Sequence, residues 1–277
     1  MLTILTDLSP AAPGLSSPAP LTSGPLEVRL AADKRELRAA QKLRYRVFYE
    51  EMQAAPTGAM QQAGRDFDAY DDVADHLLVL DHSRVGRDER VVGTYRLIRR
   101  HAARQVGRFY TSDEYDIAPL AAMKGEILEL GRSCVDGDYR NRRVMDLLWR
   151  GIAAYIGIHD VQVMFGCASF PTARVEDHTL PLAYLHHNHT APAEICPVAV
   201  PSRHVDMNLR AADSIDPRRG LASLPPLIKG YLRLGGFVGA GAVVDRQFNS
   251  VDVCVVVETA RLSNRYADHY ARTVGNG

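Results

Sequence analysis

The chain has 277 residues, with 33 Lys and Arg set against 33 Asp and Glu, so its formal net charge is zero. That balance argues against a nucleic-acid protein held by a general basic field. A content of 46% hydrophobic and 24% charged residues is too apolar for disorder throughout. No uninterrupted apolar run is long enough to span a bilayer. Four scattered cysteines (Cys134, Cys167, Cys196 and Cys254), with no CxxC pair or zinc-like spacing, read as a reducing, cytosolic compartment.

Residues 1–25 are rich in Pro, Ala, Ser and Gly and lack the basic and continuous apolar regions of a secretory signal, so they read as a disordered leader to a single domain at 26–277. Asp33 and Glu36 stand in capping-box spacing, and Leu37, Ala40, Leu43, Val47 and Phe48 recur at helical intervals, predicting a helix over 33–52. A stretch with five aspartates, RDFDAYDDVAD, precedes a short buried strand at 76–80, and RVVGTYRLI at 90–98 returns as its hairpin partner. EILELGRSCV at 126–135 is another strand. Val144, Leu147, Leu148, Ile152, Tyr155 and Ile156 stripe a helix over 141–157. VQVMFGCAS at 161–169 reads as a fully buried strand, and ARVEDHTLPLAYLHH as partly helical, broken or begun at Pro181. LPPLIKGYLRLGG at 224–236 is a short helix with Pro near its start and Gly at its end. VGAGAVVDRQ and VDVCVVVE make a final hairpin, and TARLSNRYADHY a closing helix. The fold class is α/β (α+β), a mixed central sheet flanked by helices.

The tract EILELGRSCVDGDYRNRRVMDLLW, 126–149, carries the most information. It runs strand, arginine-rich loop, helix N-terminus, which points backbone N–H groups and the helix dipole at whatever anion sits there. The tract resembles the donor-binding segment of the GNAT acyltransferase superfamily, where an Arg/Gln-x-x-Gly-x-Gly/Ala loop covers the cofactor pyrophosphate. Here the loop reads Arg140-Asn141-Arg142-Arg143-Val144-Met145, with larger side chains at both glycine positions, which opposes a close backbone approach to pyrophosphate. Two GNAT-like groups take acyl chains from acyl carrier protein instead of coenzyme A: the autoinducer (acyl-homoserine-lactone) synthases and the ornithine–acyl-carrier-protein N-acyltransferases. Over 26–270 the stretches LRYRVFYEEM, FDAYDDVADHLLV, VVGTYRL, ELGRSCVDGDYR, FGCASF, LPPLIKGYLRLGG and DRQFNSVDVCVV resemble the second group. The first shares a sparser set: Arg44, Phe48, Asp66, Asp68, Asp71, Arg96, Glu129 and Arg132.

The resemblance implies a GNAT-like N-acyltransferase that moves a 3-hydroxy fatty acyl group from acyl carrier protein to the α-amine of L-ornithine, giving lyso-ornithine lipid. No cofactor is bound; the donor is the phosphopantetheine thioester. Such a reaction needs a base, oxyanion donors, a counter-charge for the acceptor and a channel for the acyl chain. Glu129, mid-strand in an apolar run where burial raises a carboxylate's pKa, is the candidate base; its other reading is a structural partner for an arginine. Arg132 and Arg96 are forks able to grip a carboxylate. Glu129 and Arg132 differ by three, so simple alternation sets them on opposite faces; a bulge at Gly131 would re-aim the strand and free N–H groups for an oxyanion. Arg44, Asp66, Asp68, Asp71 and Ser133 complete the substrate set, with the aspartates either meeting the ornithine side-chain ammonium or positioning the helix. Arg140, Arg142, Arg143 and Arg150 form a docking patch for an acidic carrier protein.

Other motifs carry less. HHNH at 186–189, with His178 and His204, has no regular ligand spacing and reads as a polar helix end, so no metal is expected. GGFVGAGA is not a dinucleotide fingerprint, GRSCV is not a nucleophile elbow, and Cys134 and Cys167 read as core residues. In 224–236, Lys229 and Arg233 lie four apart beside an apolar face, which fits either peripheral contact with the inner face of the membrane or burial in the core. Two alternatives stay open: another amine acceptor, as in signal synthesis, and a non-enzymatic, haemolysin-like membrane-active protein.

Overall fold

The computed structural model describes residues 17–86 and 88–260. The chain divides into two compact units. The first runs to Phe109 and resumes over Leu128–Asp160; the second comprises Tyr110–Ile127 and the chain from Val161.

Strands β1 (Leu21–Ser23) and β2 (Leu26–Leu30) pair as a hairpin, so ordered sheet starts inside the expected leader, ahead of residue 26. Helix α1 (Lys34–Tyr45) opens on Asp33, whose carboxylate accepts from the N–H groups of Arg35 and Glu36. Glu36 reaches back to the Ala32 N–H at 2.8 Å, the reciprocal half of the box displaced by one residue. The helix runs on into a π-helical turn, Arg46–Glu51. Next come α2 (Gly58–Ala63), β3 (Asp75–Asp81), β4 (Val91–Arg99), α3 (Arg100–Val106), β5 (Tyr115–Asp116), α4 (Ala118–Ala121), β6 (Glu126–Val135) and α5 (Arg142–His159). The remainder is β7 (Val161–Pro171), α6 (Thr179–His189), β8 (Val198–Ala199), β9 (His204–Val205), α7 (Pro217–Ser223), α8 (Pro226–Arg233), β10 (Phe237–Val238), β11 (Ala242–Asp245) and β12 (Ser250–Glu258). Helix α6 begins two residues before Pro181, which sits harmlessly in the first turn.

In the first unit the strands follow the order β1-β2-β3-β4-β6, each antiparallel to its neighbour. Strand alternation divides β3 between two layers. Leu78 and Leu80 pack with Ala39, Ala40, Leu43 and Val47 of the leading helical segment. Leu77 meets α5 at Gly151, where an added Cβ would fall 3.0 Å from its methyls and 2.9 Å from Val28, so glycine lets the helix lie close on the sheet. Both faces are thus covered, which explains the unbroken apolar run HLLVL.

In the second unit β12 is central, antiparallel to β7, β10 and β11, with β9 beyond β11. Strands β5 and β8 form a small separate pair. Parallel contact enters as the isolated bridges Thr190–Val238 and Val198–Ala240. Ile228 and Tyr231 of α8 are buried with Leu224, while Leu227, Leu232 and Leu234 are half-buried. The Lys229 ammonium donates to the Ala222 carbonyl at 2.6 Å. The apolar face of this helix therefore turns inward. The closing helix expected over 259–270 lies, beyond Ala260, outside the described residues.

Candidate active site

Strand β6 decides the geometry. Its register with β4 pairs Ile98 with Glu129, Leu97 with Leu130 and Arg96 with Gly131, then slips, so that Thr94 meets Cys134. Tyr95 alone of β4 thus faces Arg132 and Ser133 of β6, a β-bulge with those two residues out of register. The strain falls on Arg132, which takes φ 50° without being glycine. At Gly131 a Cβ would meet nothing within 4 Å, so the expected irregularity is present one residue along from the glycine. Because paired residues share a face, Glu129, Gly131, Arg96 and Thr94 all lie on the side of the sheet covered by α1. The bulge returns Arg132 to that side as well, against simple alternation.

There the expected substrate residues close into one ion-pair network. Arg44 is fully buried: its two Nη atoms donate to the Asp71 carboxylate at 2.9 and 2.7 Å, and its Nε lies 2.7 Å from Asp66 Oδ2. Arg132 donates to Asp66 at 3.1 Å and Asp68 at 3.2 Å. Arg96 donates to Asp68 at 2.6 Å and stands 3.5 Å from Asp71. Three guanidiniums meet three carboxylates, and the network is neutral. Burial acts to raise the Asp71 carboxyl, but the charge and hydrogen bonds of Arg44, with Arg96, outweigh it and hold it well below the ordinary range. Burial likewise opposes ionisation of Asp66, and Arg132 and Arg44 together hold its pKa down. Asp72 is exposed and outside the network. A substrate carboxylate at Arg96 or Arg132 would have to displace these aspartates, and an ammonium would have to displace the arginines.

Sequence reasoning missed three partners. The π-helical turn aims Tyr49, whose hydroxyl donates to Asp66 at 2.9 Å. Gln41 donates to Asp71 at 3.3 Å. His76 meets the Asp71 carbonyl at 3.0 Å; burial pushes its pKa down to about 4, with Asp71 opposing and Arg44 adding to the effect. An isolated polar residue at the head of an apolar strand was the available signal for His76. Beside the network a recess of 260 Å³ is lined by Lys34, Arg38, Arg65, Asp68, Asp71 and Asp72, among others. Glu129 is 2% exposed.

Asn141 caps α5, its side-chain oxygen accepting from the N–H groups of Arg143 and Val144 at 3.0 and 3.2 Å. That cap engages N–H groups which an anion at this helix start would otherwise use. Arg140, Arg142, Arg143 and Arg150 are all exposed; Arg140 pairs with Glu51, Arg142 lies 3.5 Å from Asp146, and Arg143 donates to Ser23 at 2.8 Å. Among the described residues the one set of His, Cys, Asp or Glu with metal-like convergence is Glu114, Asp245 and Asp252, whose oxygens lie within 4.8 Å of one another, and not the histidines of α6.

A model of the acetyltransferase (GNAT) domain matches residues 43–150. That span holds Arg44, the aspartate loop, β4, β6 and the start of α5, and this is a GNAT-type fold. Over 250 residues the chain is 48% identical to an L-ornithine N(alpha)-acyltransferase of Agrobacterium fabrum, covering 89% of this chain and 85% of that protein. Over 253 residues it is 45% identical to the enzyme of that name from Rhizobium meliloti, with coverage of 90% and 86%. Among solved structures, the N-acyl amino acid synthase FeeM from uncultured soil microbes aligns at TM-score 0.46 and 11% identity, over 87% of this chain and 92% of that one. At such identities over nearly its whole length, the chain belongs to the L-ornithine N(alpha)-acyltransferase family.

Proposed function

We propose that this N-acyltransferase moves a 3-hydroxy fatty acyl group from acyl carrier protein to the α-amine of L-ornithine, the first step of ornithine-lipid synthesis. Membership of the family supports the acceptor. The observation that carries the chemistry is the bulge in β6, which sets Glu129 and Arg132 on one face of the strand. Glu129 takes a proton from the α-ammonium, directly or through water. The freed amine attacks the thioester carbon without a covalent acyl-enzyme. Backbone N–H groups at the bulge receive the developing oxyanion, and the Arg132–Asp66–Asp68 pairing fixes the bulge in place. Collapse of the tetrahedral intermediate forms the amide and expels the phosphopantetheine thiolate, which takes up a proton. Arg44 and Arg96 act through the network as positioning residues.

The donor is carrier protein. The loop Arg140–Met145 has no glycine, its N–H groups cap themselves on Asn141, and its arginines face solvent, an arrangement suited to an acidic protein surface more than to a pyrophosphate. No helix among the described residues is long and apolar enough to cross a membrane.

The test is incubation of the protein with labelled L-ornithine and 3-hydroxyacyl carrier protein, followed by chromatography of the acylated product. Comparable catalytic efficiency with acyl-CoA would remove the donor assignment. Glu129→Gln keeps the shape and removes the basicity, so kcat is expected to fall by about 10²-fold or more with the fold intact. Retention of kcat in a folded Glu129→Gln protein would remove the base.

A further inference from the structure

The second unit holds a cavity of 580 Å³ lined by Glu114, Arg203, His204, Asp245, Arg246 and Gln247, among others. Its chemistry is unlike that of the arginine–aspartate network. Glu114 is 3% exposed and its Oε2 has no hydrogen-bond partner. Behind it lies Asp252, 6% exposed, whose Oδ1 is also without one. Asp245 Oδ1 accepts from the N–H groups of Gln247 and Phe248 at 2.8 and 3.0 Å, which fixes the carboxylate at the cavity wall. Of the two arginines on the wall Arg246 is exposed, while Arg203 is 3.4 Å from Glu114 Oε1 and reaches the Asp113 and Val244 carbonyls only at 3.4 Å. Contacts of that length are weak, so the fork is loosely held and a third of its side chain is exposed. Burial raises both carboxyls above their ordinary range; at Glu114 the charges of Asp252 and Asp245 add to this and at Asp252 that of Asp245 does, while Arg203 opposes it at both. An excess of buried acid with an unpartnered oxygen facing a cavity calls for a cation.

We propose that this cavity seats the acceptor amino acid, with Arg203 on its carboxylate and Glu114 and Asp245 on an ammonium. Buried acids and a loosely held guanidinium in a single cavity are the complement of an amino acid that carries an extra positive charge. The inference rests on the acyl-transfer reading in one respect: the α-amine must be free to attack, so the ammonium held by the acids is that of the side chain. Binding of that ammonium lets Glu114 ionise, because the ligand supplies the charge that Arg203 alone does not.

The full chain, without donor, is titrated calorimetrically with L-ornithine, with L-norvaline, which lacks the side-chain ammonium, and with putrescine, which lacks the carboxylate. L-Ornithine is expected to bind at least tenfold tighter than either. Glu114→Gln and Asp245→Asn should weaken ornithine at least tenfold and leave norvaline unchanged; Asn keeps the Oδ1 acceptor that holds the turn. Arg203→Met should weaken ornithine and leave putrescine unchanged. This crossed pattern is one that a merely structural role would not produce. Where one variant fails to fold, the other two carry the test. Equal ornithine affinity in wild type and all folded variants overturns the proposal. So does stabilisation of the wild type by MgCl2 or CaCl2 alone, abolished by Glu114→Gln, if ornithine does not bind. The two readings fail separately. Ornithine acylation with an unchanged KM in Glu114→Gln removes the seat and leaves the reaction, whereas ornithine binding without acylation leaves the seat and removes the reaction.

Discussion

Two buried acidic clusters in this protein have opposite electrostatic settlements. In the first unit Asp66, Asp68 and Asp71 meet Arg44, Arg96 and Arg132 at hydrogen-bond distance, charge for charge. In the second, Glu114, Asp245 and Asp252 have only the loosely held Arg203 within ion-pair distance among the described residues, and two acid oxygens lack partners. A buried carboxylate stays ionised when a guanidinium is beside it and takes up a proton when one is not. The first cluster is therefore a fixed frame that holds the bulge of β6, and the second is chemically unsaturated. The contrast separates a scaffold from a receptor among residues of the same type.

The largest effect should come from breaking the balanced cluster. Arg44→Met leaves Asp66 and Asp71 short of a counter-charge at a fully buried site, and a loss of about 3–5 kcal/mol in urea unfolding is expected. Arg44→Met with Asp71→Asn should recover part of that loss, and strict additivity of the two would show that they do not interact.

The next effect is pH dependence of opposite sign in the two units. His76 has its pKa pushed down to about 4 in the folded state from an ordinary 6.5, so between those values the unfolded chain binds more protons. Stability is then full above the ordinary value and is lost as pH falls towards 4, by on the order of 3 kcal/mol. His76→Gln should flatten that acid limb. Glu114 is raised, so the folded state holds more protons, and its contribution is lost as pH climbs from the ordinary carboxylate range. Glu114→Gln should reduce the loss of Tm on the alkaline side, by less than His76→Gln gains on the acid side, since Asp252 remains. If both variants shift the same limb, the contrast between the clusters is wrong.

The smallest effect on stability belongs to the exposed arginines. Reversing Arg142 and Arg150 should change folding stability by less than about 1 kcal/mol. The same change should raise KM for carrier protein several-fold at low salt, with the difference fading as salt is added, while KM for the acceptor stays put. An unchanged carrier KM would remove the docking patch.

Much of the first unit was legible along the chain. The cap at Asp33, the stripe of α5 and the boundaries of β6 all rest on neighbours within a few positions, where periodicity and capping chemistry act. The residues of the network were also named, through resemblance. Their partnership was not, because Arg44 and Asp66 lie far apart in sequence and only the packing of α1 on the sheet brings them together.

The sequence by itself determined the alternation of helices and strands and the family, since these depend on local periodicity and on ordered motifs. Tertiary structure decided what those charges do. Pairing between strands placed the extra residue of β6 at Arg132, which brought Glu129 and Arg132 to one face. The fold also brought Glu114 to Asp245 and Asp252, more than a hundred residues further along the chain, in one buried group. No local pattern encodes such a group, because a carboxylate's charge is set by which groups surround it in space and by how much water they exclude.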